Sequence, residues 1–194
     1  SMYNSDYLPS RDLWLSGYSI NYYYYGQYLA TFMTKVSKVS VGYGYNFMLI
    51  FIFCATVFLN YSIVSNLLYL HFKTKNNNGI ISKVFPVIGG ILAGMSNTIA
   101  GNGHFLVFKF IIPFFNKITN HTSDYVYGFP DSTRYIGENP PSPDKTITEF
   151  PGYSFLVGDL HAHLIDIVFA FTLLLILISY IIFIRKKYNN KKRK

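Results

Sequence analysis

Apolar residues run almost unbroken from Leu164 to Ile184, interrupted only by Asp166, Thr172, Ser179 and Tyr180. A helix of roughly 20 such residues crosses about 30 Å of hydrocarbon, so this stretch predicts a transmembrane span. It stops at Arg185-Lys186-Lys187 and a basic tail through Lys194, which the positive-inside rule assigns to the cytoplasm. A second run covers Tyr45 to Leu70. It is followed by Lys73, Lys75 and Lys83 around an Asn-Gly turn at Asn76 to Gly79, again a cytoplasmic signature. A third, weaker run from Val84 to Ala100 returns outward, and its Gly90 and Gly94 form a small-residue face that lets helices pack closely. His104 to Phe115 is apolar but too short to span. Interrupted by Lys109, with Pro113 near its end, it predicts a re-entrant or interfacial helix.

Two polar regions remain, both expected outside the membrane. The first, residues 1–42, contains Gly26 to Lys38, whose helical amphipathic period suits a helix lying along the interface. The second, residues 116–160, holds Pro130, Pro140, Pro141, Pro143 and Pro151 and predicts an irregular loop without long helices. Between and after them lie the helical region 43–115, the last span at 161–184 and the basic tail at 185–194. The expected fold is therefore an all-α membrane protein with about three transmembrane helices, one re-entrant or interfacial helix and an irregular outer loop. The opening Ser1 to Arg11 is polar and has no signal-peptide layout, which reads as a cropped region with its missing part upstream.

Composition agrees with lipid as the partner. Of 194 residues only 13% are charged, against about 25% in ordinary soluble domains. The net charge of +8 might suggest nucleic acid, but the basic residues sit beside apolar runs, which excludes that partner. The two segments expected inside hold ten cations and no acid, while all nine acids fall elsewhere. Cys54 is the lone cysteine, so no disulfide forms within the chain. Asn120-His121-Thr122 matches a glycosylation acceptor, a triplet that arises often by chance.

Chemistry concentrates in the outer segments. Asp12, beside Trp14, is a candidate base or metal ligand. Tyr22, Tyr23, Tyr24 and Tyr25 cannot all face one way in regular structure; they suit either the headgroup belt or a platform that stacks on sugar. Glu149 precedes Asp159-Leu160-His161-Ala162-His163, which in extended form would turn Asp159, His161 and His163 to one face. That arrangement would hold a divalent ion such as Mg²⁺ or Mn²⁺; the alternative is that Asp159 caps the last helix. Arg134 would clamp a phosphate, or pair with Asp131 or Glu138. Asp166, inside an apolar helix, calls for a polar cavity or a partner.

The runs Leu13-Trp14-Leu15-Ser16-Gly17, Asn21-Tyr22-Tyr23-Tyr24 with Gly26, Asp131 to Arg134, and Glu149-Phe150-Pro151 through Asp159-Leu160-His161-Ala162-His163 resemble the prokaryotic "YYY" membrane proteins. The resemblance extends from about Leu8 to His163 in the same order. That family is similar to the polytopic glycosyltransferases of the C fold class, which implies a polyprenyl-phosphate-linked sugar donor and action on the outer face of a prokaryotic plasma membrane. In that class an acid of the first outer loop acts as base or metal ligand, and Asp12 lies in the corresponding loop. The site assignments themselves rest on chemistry and position, by which Asp12 or Asp159 would be catalytic. Arg134, Glu149, Trp14 and Tyr22 to Tyr25 would bind substrate, and His161 and His163 would ligate metal or bind phosphate. The resemblance also implies further helices of a larger polytopic protein, without which this fragment would be inactive. The contrasting reading is a non-catalytic membrane scaffold or lipid-binding module.

Overall fold

The computed structural model describes residues 1–75, 79–121, 127–134, 136–138 and 141–192. Asn76 to Asn78 of the expected turn, Thr122 of the acceptor triplet, Pro140, and Arg193 and Lys194 of the tail lie outside the described residues. The all-α membrane fold is borne out. Three helices are long and apolar enough to cross a bilayer: α2 (Val41–Thr74), α3 (Ile80–Thr98) and α7 (Ala162–Lys192, apolar as far as Ile184). Among the described residues no strand forms, only isolated bridges at Arg11 with Ser19 and Glu138 with Pro141.

α2 and α3 form an antiparallel hairpin whose closeness depends on glycine. A β-carbon at Gly90 would lie 2.6 Å from the Tyr61 ring and 3.0 Å from its carbonyl oxygen; one at Gly94 would lie 3.0 Å from the Val57 oxygen. The small-residue face is thus the packing surface. α3 begins four residues earlier than the apolar pattern indicates, because Ser82 closes its first turn on the Gly79 carbonyl through Oγ (2.6 Å) and the backbone N–H (3.2 Å). α7 likewise runs past Ile184 into the lysines, which are good helix formers.

α7 lies parallel to α2. Ile52 packs with Leu160, Leu164 and Ile165, and Met48, Leu49 and Phe155 border them. α1 (Tyr25–Ser37) crosses the start of both helices, burying Ala30 in that cluster and Thr34 against Gly44. It ends where Lys38 takes a left-handed conformation. Lys73, Lys75, Lys83 and Arg185 to Lys187 therefore share one end of the bundle. The starts of α2 and α7 and the end of α3 share the other.

That second end carries the irregular layer. His104 to Thr119 is helical throughout: α4 (His104–Leu106), a π-turn at Val107–Ile111, and α5 (Ile112–Thr119). Pro113 opens the last stretch instead of closing it, because the π-turn leaves room for a residue that lacks an N–H. A tight 3₁₀ turn at Phe129–Thr133 and the short helix α6 (Pro151–Val157) complete the layer. It is fastened to α3 by backbone approach: β-carbons at Gly152 and Gly101 would come within 2.8 Å of the Ile99 oxygen and of the Phe150 ring. Asn102 Nδ2 donates to the Ser132 carbonyl (2.7 Å), and the Thr148 N–H to that of Thr133 (2.8 Å).

Candidate functional site

The site grows from the junction of α6 and α7. Gly158 ends α6 at φ +71°, a left-handed conformation that glycine adopts at little cost, and the Asp159 N–H then returns to the Ser154 carbonyl at 2.9 Å. Tyr45 of α2 pins the junction through one hydroxyl, which donates to the Gly158 carbonyl (2.8 Å) and accepts the Leu160 N–H (2.9 Å). Leu160 is buried in the core, so its neighbours Asp159 and His161 turn the other way, as alternation in an extended segment requires. α7 starts at Ala162, leaving Asp159 ahead of its first turn. His163 follows inside that turn, its ring centroid 5.0 Å from that of His161.

Glu149, just ahead of α6, reaches both imidazoles. Its Oε2 lies 3.1 Å from His161 Nδ1 and 3.6 Å from His163 Nδ1. Asp159 Oδ2 lies 3.4 Å from His161 Nδ1. On the far sides of the rings, Tyr22 Oη is 3.1 Å from His161 Nε2, and Ser154 Oγ is 3.2 Å from His163 Nε2. The Tyr22 ring also stacks near His161 at 6.4 Å.

Beside the cluster opens a cavity of about 830 Å³ between the chain entering α1 and the start of α7. All four of Tyr22 to Tyr25 line it. This departs from the expectation for four consecutive residues: the chain passes from irregular backbone into helix at Tyr24–Tyr25, and the bend wraps the run around the space. Gly26 lets the bend sit close, since a β-carbon there would fall 2.6 Å from Ile165 Cδ1. α7 contributes Ala162, Ile165, Asp166 and Phe169, one helical stripe, together with His161 and His163 at its start. Asp166 thus lines this cavity beside the tyrosine and histidine side chains.

The other expected residues stand elsewhere. Asp12 Oδ1 accepts the backbone N–H groups of Trp14 (2.7 Å) and Leu15 (3.1 Å), a turn-forming role, and Asp12 does not line the cavity. Trp14 is 98% exposed on that turn, a placement that suits a headgroup-level aromatic. Arg134 is exposed at the end of the 3₁₀ turn and does not line the cavity. Of its expected acidic partners, Glu138 pairs with Lys145 (3.1 Å), and Asp131 Oδ2 takes the Gly128 N–H (2.7 Å). Tyr45 and Ser154 escaped notice because nothing in their spacing separates them from ordinary helix residues.

The Asp12 geometry yields a sharp contrast between two variants. Both bonds use one oxygen that asparagine retains, so Asp12→Asn is expected to leave the melting temperature unchanged. Asp12→Ala removes both bonds and is expected to cost about 1 kcal/mol. A thermal melt in detergent checks the pair.

Three helices long and apolar enough to cross a bilayer, in a chain without strands among the described residues, define an all-α, multi-pass membrane protein. The family described as "Uncharacterized membrane protein (DUF2298)" matches residues 1–194, and the chain belongs to it. Comparison with curated proteins and with solved structures gave no match.

Proposed function

We propose that this chain forms part of a membrane glycosyltransferase that takes a polyprenyl-phosphate-linked sugar on the outer face of a prokaryotic plasma membrane, completed by further helices of a larger polytopic protein. The observation that carries this reading is the union of a cavity lined by tyrosines, two histidines and Asp166 with an apolar groove. Phe169 borders both the 830 Å³ cavity and a second space of about 430 Å³ lined by Leu29, Met33, Phe47 and Phe51. A donor with a polar head and an isoprenoid tail matches that pairing; a water-soluble nucleotide sugar has no use for the groove. Sidedness follows from the cations gathered at the opposite end of the bundle, which favour the cytoplasm.

In this reading the tyrosine rings stack on the sugar, and the phosphate lies at the His161–His163 end of the cavity. The acceptor oxygen forms a bond to the anomeric carbon, and the bond from that carbon to the phosphate oxygen breaks. Polyprenyl phosphate departs, and the acceptor proton passes to a carboxylate. Asp166 is the acid among the cavity-lining residues and takes that role here; Asp159 is engaged with His161. A divalent cation, where bound, would neutralise the phosphate charge.

The test is binding of a polyprenyl-phosphate hexose to the chain in lipid nanodiscs. Saturable binding is expected, weakened about 10-fold by the Tyr22→Ala/Tyr23→Ala double variant, the scale of two aromatic contacts. If polyprenyl phosphate without sugar binds as tightly, and the double variant does not weaken the hexose donor, the lipid-binding reading takes over. Absence of saturable binding removes the donor assignment altogether.

A further inference from the structure

We infer that Glu149, His161 and His163 bind a divalent cation of the zinc class through the Nδ1 atoms of both imidazoles, with Asp159 beside His161. The site is the same one used in the glycosyl-transfer reading, but the inference rests on its donor atoms and not on the reaction.

The first support is spacing. One donor atom each from Glu149, His161 and His163 fall within 4.8 Å of one another. Ligands held tetrahedrally at about 2.0–2.1 Å from a zinc ion are separated by about 3.3–3.4 Å. The separations here are 3.1 Å (Glu149 to His161), 3.6 Å (Glu149 to His163) and 3.4 Å (Asp159 to His161). The two edges that Glu149 makes with the imidazoles bracket that size, and the three donor atoms share one neighbourhood.

The second support is independent of the first. A metal-bound imidazole donates its other ring N–H to an outer partner, which fixes the tautomer and the ring orientation. Both histidines have such a partner on the correct nitrogen: Tyr22 Oη on His161 Nε2 and Ser154 Oγ on His163 Nε2. The backbone prepares the set as well. Gly158 and the Tyr45 hydroxyl hold the extended Asp159–His161 segment in place, and Pro151 at the head of α6 sets the segment that carries Glu149.

The donor types choose the ion. Two neutral imidazoles with carboxylates suit Zn²⁺ and its borderline neighbours. Mg²⁺ prefers oxygen ligands and retains its water, so the geometry turns the preference away from it. The ion would sit against the tyrosine-lined cavity with positive charge toward it, a place for an anionic group such as phosphate.

The experiment uses the untagged chain in detergent, stripped with a chelator and then titrated with Co²⁺ and Zn²⁺. One Co²⁺ per chain is expected, with the intense visible absorption of four-coordinate cobalt and its displacement by Zn²⁺. His161→Ala and Glu149→Gln should abolish the band. Tyr22→Phe and Ser154→Ala should weaken binding by about 10–100-fold, the usual effect of removing an outer partner. His71→Ala, at the opposite end of α2, should change nothing. A weak octahedral spectrum in the unmutated chain, or no binding, overturns the inference without reference to any variant's folding. Binding unchanged in both His161→Ala and Glu149→Gln overturns it as well. Since the readout is a cobalt spectrum, tight metal binding without glycosyl transfer would retire the transfer reading and leave this one standing.

Discussion

Under the proposed transfer reaction, the Asp166→Asn exchange is expected to slow glycosyl transfer by about 10²–10⁴-fold, the range over which a positioned general base acts. Asp166 lies just past the first turn of a helix that is otherwise apolar, where a carboxylate costs about 2.5–3.5 kcal/mol on insertion scales at mid-membrane and less near an end. It lines the tyrosine-walled cavity, within one stripe with Ala162, Ile165 and Phe169. An amide keeps the shape and the hydrogen-bonding capacity but cannot accept the acceptor's proton. It also removes a charge from an apolar helix, so the variant should melt no lower than the parent. Lost transfer with retained stability separates a chemical role from a structural one. Transfer at the parental rate, measured in the complete polytopic protein, would dismiss Asp166 as the base.

The second large effect concerns the hairpin beneath the site. Gly90→Leu is expected to destabilise the chain by about 1–3 kcal/mol or more, the scale of overpacking in a close-packed contact. At about 2–4 °C per kcal/mol for a chain of this size, that lowers the melting temperature by roughly 2–12 °C. A β-carbon at Gly90 meets not only the Tyr61 ring at 2.6 Å but also its backbone oxygen at 3.0 Å, and a helix backbone cannot swing aside as a side chain can. Gly42 supplies the control, since a β-carbon there meets nothing within 4 Å. Gly42→Leu should leave the melt unchanged or raise it slightly, because leucine is the better helix former. Equal melting of the two variants would show that the α2–α3 approach contributes little to stability.

The spans were legible in the sequence because a bilayer imposes one strong rule: backbone polar groups must be satisfied within the segment, so long apolar runs become helices. Leu164–Ile184 and Tyr45–Leu70 needed nothing further, and the Gly90–Gly94 spacing already indicated where α3 would be approached. The helix ends were less legible. α3 starts early because Ser82 closes a turn on Gly79, and Pro113 opens a stretch because a π-turn precedes it; neither follows from hydropathy.

The site divides the same way. Asp159, His161 and His163 share a short segment, so the pairing of Asp159 with His161 follows from alternation. Glu149 joins them only because α6 folds back, and Tyr22 arrives from a position 139 residues away. Asp12 and Arg134 looked equally reactive by type. What distinguishes them is their surroundings: a pair of backbone N–H groups captures Asp12 Oδ1, and Arg134 stands exposed at the end of a turn.

Phe169 is one wall shared by the tyrosine-lined cavity and the apolar groove. A ligand anchored by an isoprenoid chain would then arrive sideways, by diffusion within a leaflet, without ever leaving the bilayer. Its effective concentration would be a mole fraction among lipids, and saturation would follow the composition of the membrane more than the volume of the surrounding medium.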